Sequence, residues 1–158
     1  MHMILVDADA CPVVRIAEAT AQRYQVPMVL LCDESHVIRS NYSMVQTVSK
    51  GADSVDLALI NACSAGDLVI TQDFGVAALA LGKGAMAIHQ SGRIFTDENI
   101  DGLLMMRHEA RRERMGRGKT HLKGPKKRTP ADDEAFLRAF EPLVRQLAEE
   151  NAREAADA

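Results

Sequence analysis

Short continuous apolar runs at 3–6, 27–32, 68–71 and 85–89 constrain this chain more than any other feature of it. They are too short for buried helices, and they do not alternate with polar residues as a half-solvated strand would. Continuous apolar strands of this length belong in parallel sheets covered on both faces. The segments between them carry helical spacing instead. Pro12 suits a first helical turn, and Val13, Ile16, Ala17 and Ala21 follow as one stripe. Val55, Leu59 and Cys63 make a second stripe from Asp53 onward, and 74–81 reads as a short third helix broken by Gly82 and Gly84. The stretch 44–48 alternates as a less buried strand, and 93–96 reads as an edge piece. Helices are expected at 99–114 and 131–150, the last with Phe136, Phe140, Leu143 and Leu147 on one face. Strands alternating with helices predict an α/β fold, a central mainly parallel sheet with helices on both faces.

A chain of 158 residues fits one domain, expected over 1–150 with a disordered tail at 151–158. Its 47% hydrophobic content is that of a globular protein, and with 4% aromatics and no Trp the core must be aliphatic. Charge arrives at Asp7, too early for a signal peptide or membrane span, so a cytoplasmic location and no membrane partner are expected. Cys11, Cys32 and Cys63 have neither the number nor the spacing of a disulfide framework or zinc knuckle. Cys11 precedes a helix, where a thiolate would be stabilised, but a core role is the preferred reading.

Aspartates gather at the strand ends. Asp7 and Asp73 each follow a strand, and ligands of parallel sheets bind beyond the carboxyl ends of the strands. If those two strands are neighbours, their carboxylates converge, and a hard cation, Mg²⁺ or Mn²⁺, would relieve the repulsion. Asp9 stands two residues beyond Asp7, and Thr71 shares a strand face with Asp73. Asp53 and Asp56 share one face of a helix start. Capping of a helix by Asp9, Asp53 or Asp56 is the plainer alternative.

The segments DADACPV at 7–13, GADSVDLALI at 51–60, GDLVITQDFGVAALALGKGA at 66–85, NIDGLLMMRH at 99–108 and GPKKRT at 124–129 closely resemble the YaiI/YqxD family of bacterial proteins over nearly the whole chain. That family looks PIN-like. The resemblance implies a three-layer sandwich in which Asp7, Asp56 and Asp73 hold Mg²⁺ or Mn²⁺ for phosphodiester hydrolysis, with Thr71 in support and Asp9 or Asp53 orienting water. PIN nucleases also carry a helical Glu between the first and third acids, where this chain offers only Glu18, or Asp33 and Glu34 after a strand.

The net charge of -3 is segregated. From Arg107 to Arg128 ten basic residues face two acidic ones, a surplus of eight positive charges in an acidic body. Arg107, Arg111 and Arg114 make a helical stripe that runs on through Lys123, Lys126 and Lys127, and 115–130 is expected as a mobile basic segment inside the domain. Such a segment suits nucleic-acid phosphates, and without interleaved aromatics it does not suit base stacking. The expectation is therefore a metal-dependent nuclease or nuclease-like protein acting on RNA or single-stranded nucleic acid. A haloacid-dehalogenase-type phosphatase with Asp7 as nucleophile and Asp9 as acid/base is one alternative, and a non-catalytic RNA-binding protein is another. Oligomeric state is not legible.

Overall fold

The apolar runs form the centre of one six-stranded sheet. The computed structural model describes residues 1–51, 53–116 and 126–158, except the side chains of 107–116. In chain order the elements are β1 (Ile4–Asp7), α1 (Val14–Arg23), β2 (Met28–Asp33), β3 (Met44–Val48), α2 (Ser54–Ala62), β4 (Leu68–Ile70), α3 (Phe74–Gly82), β5 (Met86–Ile88), β6 (Ile94–Phe95), α4 (Asp97–Gly116) and α5 (Pro130–Asp157). The sheet order is β3-β2-β1-β4-β5-β6. All pairs are parallel except β5 with β6, where the expected edge piece runs antiparallel. The half-exposed β3 is the other edge, which explains its polar alternation.

Successive strand residues point to opposite faces. Ile4, Val6, Leu30 and Ile70 face Ala17 and Ala21 of α1 and Phe136 and Phe140 of α5. Leu5, Leu31, Val69 and Ala87 face Leu59 of α2, Val76 and Ala77 of α3 and Leu103 of α4. These two aliphatic cores on either side of one sheet make the expected PIN-like three-layer sandwich.

The C-terminal helix differs from the sequence expectation. Thr129 and Asp132 close a capping box and Pro130 opens the helix, but α5 then continues to Asp157, so the expected tail at 151–158 is helical almost to its end. The cause lies at the other terminus. The Asn151 side chain accepts from the His2 amide at 2.6 Å and donates to its carbonyl at 2.9 Å. Glu154 meets the terminal ammonium at 3.0 Å. Of the basic segment at 115–130, residues 117–125 lie outside the described residues, so its expected mobility is not addressed.

Gly92 sets the approach of the β5–β6 turn to α5. Its φ is +95°, and a Cβ there would sit 2.6 Å from the Ala135 carbonyl oxygen. Gly92→Ala is expected to cost about 1–3 kcal/mol, because strain and a backbone clash act together. A fall in urea midpoint at constant m-value measures it.

Candidate metal centre

The chain winds from β1 to β2 and β3 on one side, then returns to place β4, β5 and β6 on the other. The β1/β4 pair is therefore the point where strand order reverses, and crevices for ligands open there, beyond the carboxyl ends. The register pairs Val6 with Ile70, which leaves Asp7 and Thr71 side by side. Both follow residues of the α2/α3 face, Leu5 and Val69, at a spacing of two.

One hydroxyl joins the two strand ends. Thr71 Oγ1 donates to Asp7 Oδ2 at 3.4 Å and accepts the Asp73 amide at 3.0 Å. Asp73 Oδ1 accepts from the amides of Gly75 and Val76 at 2.8 and 3.1 Å, capping α3. The carboxylate is thus held in one orientation by the helix it begins. Capping and cation binding are compatible, since a carboxylate offers about four lone-pair sites.

Asp56 lies in the first turn of α2. Asp53 occupies the position before that helix, but its φ is +63° and its side chain makes no capping bond, so the capping alternative fails there. It lines a cleft of about 310 Å³ between α2 and α3 together with Asp56, Asp73 and the apolar Leu57, Ile60 and Leu79. Asp9 does not cap α1 either, because Val13 holds that position.

Charge crowding is felt most by Asp7. Burial first, and then the charges of Asp56, Asp9 and Asp73, push its carboxyl up to about 6, against the smaller opposing effect of the Thr71 bond. Asp7 and Thr71 also line a narrow recess with Cys11, Gln72 and Gln90. Burial raises the Cys11 thiol, which makes it a packing residue and a poor nucleophile.

Positive charge approaches the same pole. Arg128 donates to the Gln90 carbonyl at 3.0 Å and pairs with Asp133 at 2.6 Å. Its charge reaches Cys11 and His89. Sequence reasoning counted Arg128 within the basic segment without placing it at the site. Lys126 and Lys127, just before it, are exposed. Of the other basic candidates, Lys123 and the side chains of Arg107, Arg111 and Arg114 lie outside the described residues.

The acid that PIN nucleases place between the first and third does not join this group. Glu18 lies on α1, beyond the other sheet face, where it accepts from Ser43 Oγ at 2.8 Å and from Ser40 Oγ. Asp33 closes β2 and meets Asp9 and His36 instead. His36 has no ligand spacing in the sequence, and only the pairing of β1 with β2 brings it to Asp9.

The fold and its acids define a PIN-like α/β sandwich with an acidic cleft at the switch in strand order. The profile of the family described as "Uncharacterized BCR, YaiI/YqxD family" matches residues 5–146, and the chain belongs to that family. It is 56% identical over 141 residues to a UPF0178 protein of Clostridium acetobutylicum, covering 89% of this chain and 95% of that one. It is 48% identical over 145 residues to a UPF0178 protein of Lachnoclostridium phytofermentans, covering 91% and 97%. No solved structure matches the chain significantly. Among the described residues no helix is long and apolar enough to cross a membrane.

Proposed function

We propose that this protein is a divalent-metal-dependent phosphodiesterase acting on RNA or single-stranded nucleic acid, with its site at the β1/β4 switch. The observation that carries the reading is the Asp7 carboxyl, raised to about 6 among Asp56, Asp9 and Asp73. A carboxyl that resists ionisation, first because it is buried and then because other acids surround it, is one that a bound cation would help to ionise.

A hard ion takes carboxylate oxygens, which all three candidate acids offer. Asp7, Asp56 and Asp73 would hold Mg²⁺ or Mn²⁺ through carboxylate oxygens alone. Such an ion, when bound, supplies an activated water and offsets charge on the phosphoryl group. The chain's own residues do the rest. Thr71 orients Asp7 through its hydroxyl. The α3 cap fixes Asp73. Asp53, on the wall of the cleft that Asp56 and Asp73 line, would accept a proton from water. Lys126, Lys127 and Arg128 draw the polyanion to the pole where the acids sit.

Asp73→Asn tests the site with little risk to folding, because Asn caps helices as well as Asp does. With Mn²⁺ and a single-stranded RNA, the wild type is expected to cleave and Asp73→Asn to lose about 10- to 100-fold in rate. Turnover confined to a small phosphomonoester, and lost in Asp7→Asn, would replace the reading with phosphatase chemistry. RNA binding without cleavage of either substrate would reduce the protein to a binding module.

A further inference from the structure

Beside the Asp7 cleft, three residues meet that come from separate parts of the chain. Asp9 lies two positions past β1, Asp33 closes the neighbouring β2, and His36 follows in the turn after it. His36 Nδ1 is 3.1 Å from Asp9 Oδ1 and 3.2 Å from Asp33 Oδ1. One ligand atom from each residue lies within 4.8 Å of the other two. Tetrahedral and octahedral ions with bonds of about 2.1 Å place adjacent donors roughly 3.0–3.4 Å apart, and His36 Nδ1 stands at that spacing from each carboxylate oxygen.

The trio is joined by hydrogen bonds, and one of its buried oxygens is left out of them. Asp9 Oδ1 is shut off from solvent and accepts no hydrogen bond, although the His36 ring nitrogen is within 3.1 Å. His36 Nδ1 is engaged by Asp33 Oδ1 and Ser35 Oγ, both at 3.2 Å, which leaves the buried Asp9 Oδ1 without a hydrogen bond. The carboxylates are also pre-set. Asp9 Oδ2 accepts the Asp33 amide at 3.3 Å, and Asp33 Oδ1 accepts the Ser35 amide at 2.8 Å and the Ser35 hydroxyl. Hydrogen bonds of this kind orient metal ligands.

We propose that Asp9, Asp33 and His36 form a second divalent-cation site, one that takes a nitrogen-tolerant ion such as Zn²⁺ or Co²⁺ in preference to Mg²⁺. Two carboxylates balance the ion's charge, and the imidazole supplies the selectivity. The His36 side chain is 49% exposed, which leaves room for water or an anion to complete the coordination. His36 also lines a cleft of about 340 Å³ with Arg15 and Arg39, so the ion sits at the edge of a cleft suited to a phosphate or carboxylate. The site shares none of Asp7, Asp56 and Asp73, and of the acids around Asp7 it takes only Asp9.

The test uses the metal-free full chain and CoCl₂ alone, read by calorimetry, visible absorption and the proton resonances of the His36 ring. Wild type is expected to bind Co²⁺ with bands that report imidazole ligation and with selective broadening of the His36 ring signals. His36→Gln and Asp33→Asn are each expected to weaken that binding at least tenfold, while Asp7→Asn keeps the His36 response. Circular dichroism checks that the variants fold, and the ring resonances of the wild type report on the site whether they do or not. Unmoved His36 signals at saturating Co²⁺ would overturn the proposal. So would Co²⁺ affinity unchanged in both His36→Gln and Asp33→Asn, or a His36 response that disappears in Asp7→Asn.

Discussion

Phe136→Ala is expected to remove about 3–5 kcal/mol of stability, a large share of the roughly 5–15 kcal/mol a domain of this kind holds. Phe136 is fully buried in a chain with only four phenylalanines and no tryptophan. Its ring stacks on Phe140 at 4.8 Å between centroids and an angle of 21°. The pair fastens α5 to the sheet and to Ala17 and Ala21 of α1. Truncating one ring leaves a cavity that the rigid strands beneath cannot fill, so both the transfer and the cavity contributions are lost. A melting temperature lower by roughly 6–20 °C is the corresponding thermal effect. Val144→Ala is expected to cost more than Leu143→Ala, because Val144 is fully buried while Leu143 only borders the core. Equal losses at 143 and 144 would mean that the helix face is set differently.

That last contrast shows where the sequence was legible and where it was not. The strands could be read because four of them are continuous apolar runs, a pattern with few other uses in a short chain. On α5 the periodicity placed the apolar face but not its centre. Residues 143 and 144 lie about 100° apart around the helix, and both are aliphatic, so only the packing partner decides. The helical 151–157 could not be read, because its anchors are His2 and the amino terminus, at the opposite end of the chain. Asp53 had the composition of a cap, and its left-handed backbone leaves the side chain without a capping bond.

The site divides along the same line. Asp7 and Asp73 were visible as strand-end acids, and Thr71 links the two strand ends once β1 and β4 pair. Asp56 was visible beside Asp53 on one face of a helix start, and the family resemblance singled it out as the third acid. His36 was invisible, because its link to Asp9 spans 27 residues and passes through the β1–β2 register. Arg128 was hidden among ten basic residues, and its contact with the Gln90 carbonyl is what distinguishes it.

Asp7→Asn is expected to make the metal-free protein more stable at pH 7.5 while abolishing its response to Mg²⁺. The folded-state carboxyl titrates near 6, above its ordinary value of 3.8. Between those two values the folded chain holds a proton that the unfolded chain has released, so the contribution of Asp7 to stability is fully present below about pH 4 and is lost as pH rises through 6. At pH 7.5 the ionised carboxylate is therefore a net cost. The ceiling is about 3 kcal/mol from the size of the displacement, and partial exposure of the group reduces it to about 1–2 kcal/mol. Asparagine keeps the shape and removes the charge, and chemical denaturation at pH 5 and 7.5 reads the difference. Binding of Mg²⁺ reverses the balance in the wild type, adding about 2.7 kcal/mol when the ion is at a hundred times its dissociation constant. The gain is larger at pH 7.5 than at pH 5, because below 6 the ion must first displace a proton from Asp7. In Asp7→Asn the Mg²⁺ gain vanishes, and RNA cleavage falls about 1,000-fold with the loss of a ligand from the all-oxygen site. A metal-free Asp7→Asn protein less stable than wild type at pH 7.5, or one that Mg²⁺ stabilises as much, would show that Asp7 serves the fold and holds no ion.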